Sequence, residues 1–159
     1  MKIKIRKSVF ETNSSSIHSL CVPRDVPYKV PKYVNFYLGR YGWGPDIETN
    51  PGNYLYTYLM LTEDEKRIKQ LEDILYKHGA EHVSFEPRKK EAWYDFYIDH
   101  APESEKWVNS LFADEDKLLR HLFTPGAVIF ITNDNSPDEE MMEKISAAKE
   151  HDDEVVSLG

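Results

Sequence analysis

The period of the hydrophobic positions changes repeatedly along the chain, and each change predicts an element. "KIKIRKSVF" (2–10) alternates, placing Ile3, Ile5 and Val9 on one face of a first strand. "IHSLCV" (17–22) predicts a second, short strand, and the polar run "ETNSSS" joins the two as a turn. The prolines of "VPRDVPYKVP" predict an irregular excursion. "KYVNFYL" then predicts a third strand, ending at the Gly-rich "GRYGWGP".

A helical period follows. "NPGNYLYTYLML" predicts a short apolar helix entered at Asn50-Pro51. "TEDEKRIKQLEDILYKHG" is the clearest helix. Ile68, Leu71, Ile74 and Leu75 form its apolar stripe, Thr62 and Glu65 have the spacing of a capping box, and Gly79 stands at the stop. "EHVSFEP" and "EAWYDFYIDH" predict strands, the latter with Trp93 near its start; "PESEKWVNSLF" and "DEDKLLRHLF" predict helices. "AVIFIT" is the unbroken apolar run of a strand buried on both faces. "SPDEEMMEKISAAKEH" predicts a final helix with Ser136 as N-cap and Pro137 at its first position. The sum is one domain of class α+β (or α/β), a mixed sheet of about five to six strands with helices packed against it.

Composition narrows the function classes. The 159 residues suffice to bury a core without metals or disulfides. A net charge of -8 argues against generic binding to a nucleic-acid backbone, which uses Lys and Arg to release counterions. No apolar run approaches the roughly 20 residues that span a bilayer. The basic start "MKIKIRK" lacks the apolar stretch of a signal peptide. A single cysteine, Cys21, fits a reducing compartment, so the expected location is cytoplasmic. Aromatic residues reach 13%, clustered in "YVNFYLGRYGWG", "NYLYTYLM" and "AWYDFYI". Such rings fill cores and binding surfaces alike.

The candidate chemistry lies in polar loops at predicted strand ends. Thr12, Asn13, Ser14, Ser15, Ser16, His18 and Ser19 gather hydroxyls, an amide and an imidazole. Such groups hold a phosphate or carboxylate without bringing fixed charge, and they equally satisfy an ordinary turn. Asp99 and His100 end a strand, where a carboxylate can orient a histidine for base catalysis or cap the next helix. Asn133, Asp134 and Asn135 stand between a strand and a helix N-terminus. Gly42 and Gly44 flank Trp43, which can stack on a planar ligand. No metal-binding or nucleophile signature occurs, so a metal site would need dispersed ligands, and no cofactor is indicated.

"FETNSSSIHSL", with "YGWG" at 41–44, "YLYT" at 54–57, "IDH" at 98–100 and "NDN" at 133–135, resembles a widespread group of proteins encoded by phages, prophages and their bacterial hosts. Where that group continues Ile-Asp-His with Gln-Ser, this chain has Ala101-Pro102. The resemblance implies a mobile-element setting and no particular activity. Three functions follow as expectations. The first is binding of a phosphorylated or nucleotide-like small molecule, which would sequester a host defence signal. Here the Thr12–Ser16 run and Ser19 hold the phosphate, Trp43 stacks, and His18, Asp99 and 133–135 orient. The second is a hydrolase or group-transfer enzyme with His18 or His100 as base and Asp99 as orienter. The third is an acidic inhibitor of a host protein. A host protein or a second copy of the chain remains open as a partner, and a membrane is not expected.

Overall fold

The computed structural model describes residues 16–89, 96–133 and 137–159. The first predicted strand, Trp93 and the proposed Ser136 cap lie outside these residues.

The fold is α+β. Among the described residues the largest sheet is antiparallel and built from four strands: β1 (Ser16–Val22), β4 (Asp46–Glu48), β7 (Val128–Asn133) and β8 (Glu154–Ser157), in the order β4-β7-β1-β8. The remaining described strands form two parallel pairs instead of joining one mixed sheet. β2 (Tyr33–Phe36) pairs with β5 (His82–Phe85), and β3 (Arg40–Tyr41) pairs with β6 (Tyr97–Ile98). The segment 33–41 therefore runs alongside two successive stretches of the later chain.

β1 and β7 are central because both faces of each are apolar. Along β1, Leu20 and Val22 face the larger core, whereas Cys21 faces a smaller cluster with Phe130, Met141, Ile145 and Ala148. The smaller cluster is the contact with α5 (Glu139–Glu150). The larger core lies on the opposite face, under α1 (Pro51–Leu61), α2 (Glu65–Lys77), α3 (Glu105–Ala113) and α4 (Glu115–Phe123). Strand alternation thus sorts β1 into two environments, one residue apart.

Helix entry follows local hydrogen bonding. Asn50 caps α1, its side chain accepting from Gly52 N, with Pro51 at the first position. At α2 the cap is Asp64, which accepts from Arg67 N. The Thr62–Glu65 capping box does not form, because the Thr62 hydroxyl donates back to the Tyr58 carbonyl and closes α1. Gly79, at φ +111, ends α2 as its position predicts. The last helix is capped two residues beyond the expected position, with Asp138 accepting from Met141 N. Pro137 is therefore outside the helix.

Candidate functional site

β1 directs His18 into the larger core, where its side chain is fully buried. Nε2 is 2.9 Å from the Gly42 carbonyl oxygen, and Nδ1 is 2.8 Å from Tyr54 Oη. A carbonyl only accepts, so Nε2 carries the proton and Nδ1 accepts from the tyrosine hydroxyl. Tyr54 Oη is also 3.2 Å from Ser104 Oγ, whose hydroxyl donates to the Leu158 carbonyl at 2.7 Å. The His18 backbone closes the circuit: its N–H donates to Gly159 O at 2.8 Å, and its carbonyl accepts from Leu158 N at 2.7 Å. One histidine therefore ties β1 to the Gly42 loop, to α1 and to the 158–159 segment.

Burial pulls the His18 imidazole below its usual 6.5 and outweighs the opposing pull of the Gly42 carbonyl and of Asp99. The ring is held neutral, which matches the tautomer that its two partners require. Both nitrogens are committed inside the protein, leaving His18 no free position from which to take a proton from a substrate.

Other candidate residues gather around this core. Ser16 and Asn133 are register partners at the end of β1 and β7. Strand alternation puts both on the His18 face. Gly44 lies flat on β7: its φ is +75, and a Cβ there would sit 2.2 Å from the Ile131 carbonyl oxygen. That close approach brings the Trp43 carbonyl within 3.3 Å of Asn133 Nδ2 and leaves the Trp43 ring half exposed. Past Ile98 the strand ends and His100 adopts the left-handed conformation (φ 56). The turn places the His100 ring beside two carboxylates, Nε2 3.7 Å from Asp99 Oδ2 and Nδ1 3.5 Å from Glu103 Oε2. Neither separation is a hydrogen bond. Asp99, His100 and Glu103 all act electrostatically on His18, so this turn belongs to the same neighbourhood. Ser16 Oγ and Asp99 Oδ2 are buried without a hydrogen-bond partner among the described residues.

Some expectations change. Ser19 points the other way from Ser16 and His18, into the α5 face, so it is not part of a pocket with them. Asp99 does not cap the following 3-10 helix (Ala101–Ser104); the residue at that position is His100, with no side-chain capping bond. Thr12, Asn13, Ser14, Ser15, Asp134 and Asn135 lie outside the described residues.

Sequence reasoning missed Tyr54, Ser104 and a second buried histidine. His121 Nδ1 accepts from Trp107 Nε1 at 3.0 Å, and its Nε2 is 3.2 Å from Glu154 Oε1, which also pairs with Arg120. Tyr54 packs edge-on against both His18 and Trp107, so the two histidines are joined through aromatic contacts across the core. A buried Tyr or Trp needs a partner for its polar tip, and that need was the available signal.

Among the described residues no group of His, Cys, Asp and Glu has the arrangement of a metal site, and no helix is long and apolar enough to cross a membrane. No family model, curated protein or solved structure matches the chain.

Proposed function

We propose that the chain binds a small phosphorylated or nucleotide-like molecule at the end of the four-stranded sheet, beside Ser16, Trp43, Asn133 and the Asp99–His100 turn. The supporting observation is the convergence of these segments, far apart in sequence, on one buried and internally saturated histidine. In this reading His18 is a positioning residue. It fixes the loop that carries Trp43 and the strand end that carries Ser16.

The chemistry divides by charge. Asp99 and Glu103 accept hydrogen bonds from sugar hydroxyls or base amino groups, and they repel a phosphate. The phosphate therefore lies toward Ser16, whose register partner Asn133 extends the polar strand end. The half-exposed Trp43 ring offers a face for a base. Binding is favoured over catalysis because His18 has no free nitrogen, and His100 stands too far from Asp99 for a hydrogen-bonded dyad. In the mobile-element setting that the resemblance implies, such binding would withdraw a host signal from circulation.

The test is mass spectrometry of small molecules released on denaturing the purified protein, run in parallel on Trp43→Ala and His100→Ala. An unchanged phosphorylated compound, reduced in both variants, is the expected result. A chemically altered compound would move the reading to catalysis. Equal recovery from all three proteins would remove the site.

A further inference from the structure

The geometry points to a second binding site, a cleft between α3, α4 and β8 that takes a small carboxylate with a planar apolar body. The cleft has a volume of about 240 Å³ and is lined by Lys106, Trp107, Ser110, Lys117, Val156 and Ser157. It is separate from the sheet-end site, and its argument does not depend on that reading.

Its chemistry is amphipathic. Trp107 is buried and its indole N–H is committed to His121 Nδ1, so it offers the cleft only ring carbon. Val156 adds further apolar surface. Lys106 on α3 and Lys117 on α4 both line the cleft, which puts two ammonium groups within side-chain reach of it. Neither has an ion-pair partner among the described residues, whereas Lys69, Lys77 and Lys144 are each paired with a carboxylate. Lys117 is partly buried as well. The carboxylate behind the cleft, Glu154, is already engaged by Arg120 and His121 and does not neutralise the lysines.

Two unpaired cations flanking an apolar cleft, in a chain of net charge -8, select an anion whose body is apolar. The volume falls below that of pockets for drug-sized ligands, roughly 300–1,000 Å³, and so favours a molecule built on one ring.

Phenylacetate is the probe, followed by amide and indole N–H resonances in 1H–15N NMR spectra of the full chain. Saturable shifts at the Trp107 indole N–H are expected, with a dissociation constant on the order of 1 mM, the range its small size allows. Phenylacetamide, uncharged and of similar shape, should bind at least about threefold more weakly, the scale of an exposed ion pair. Lys106→Gln and Lys117→Gln keep the apolar stems and the helices. Combined, they should abolish the preference for phenylacetate while spectral dispersion stays that of the wild type. Absence of a saturable shift at Trp107, equal binding of the amide, or an unchanged preference in the double variant would each overturn the site.

Discussion

Tyr54→Phe isolates the contact on which the His18 arrangement depends. The substitution keeps the ring and its packing against Tyr41 and Trp107 while removing the hydroxyl that donates to His18 Nδ1. His18 is fully buried, so the lost partner cannot be replaced by bulk water. A net hydrogen bond contributes about 1 kcal/mol, and an unsatisfied buried acceptor costs about 1–3 kcal/mol; the expected loss is about 2 kcal/mol. For a chain of this size that corresponds to a melting temperature lower by about 4–8 °C. Urea unfolding followed by circular dichroism measures it. His18→Phe and the double variant complete a cycle, with a coupling of about 1 kcal/mol or more expected between the two sites. A loss below about 0.5 kcal/mol for Tyr54→Phe, or simple additivity, would refute the buried bond as a structural tie.

Acid should weaken the fold early. His18 and His121 both have their pKa pulled below 6.5 by burial, so the unfolded chain binds protons more readily. The stability they contribute is full above 6.5 and falls as pH drops below it; a lower urea midpoint at about pH 5.5 than at about pH 7.5 checks the sign. Gly44→Ala places a methyl group against the Ile131 carbonyl at positive φ, with an expected cost of about 2 kcal/mol or more, and its denaturation curve would contradict the close approach if unchanged. Cys21 is buried, with its thiol pushed up to about 11, so iodoacetamide should label it only in denaturant. Rapid labelling of the native protein would place it elsewhere.

The sequence was most legible where one short segment settles its own structure. The stripe of α2 holds at Leu71, Ile74 and Leu75, because a 3.6-residue period over a charged background has one solution. The run "VIFIT" becomes β7, buried on both sides between the helical core and α5. Caps were harder: Thr62, Asp64 and Asp138 all suit that position, and the choice depends on where the preceding chain ends. β8 escaped notice because a four-residue strand carries almost no pattern. The division of the described strands into three sheets is a matter of long-range pairing, on which local periodicity is silent. At the site, the polar residues stood out, but their roles depend on partners far along the chain. His18 reads as a base until Tyr54 and Gly42 are seen to occupy both its nitrogens. Ser16 and Ser19 look equivalent until β1 turns them to opposite faces.

Native mass spectrometry of the protein from its expression host most directly tests binding at the sheet end. The wild-type ion is expected to exceed the chain mass by that of one phosphorylated small molecule. The excess should disappear on denaturation and be absent from a folded Trp43→Ala variant. A wild-type ion at the bare chain mass, with no mass gained on adding the host's small-molecule extract, would contradict the account.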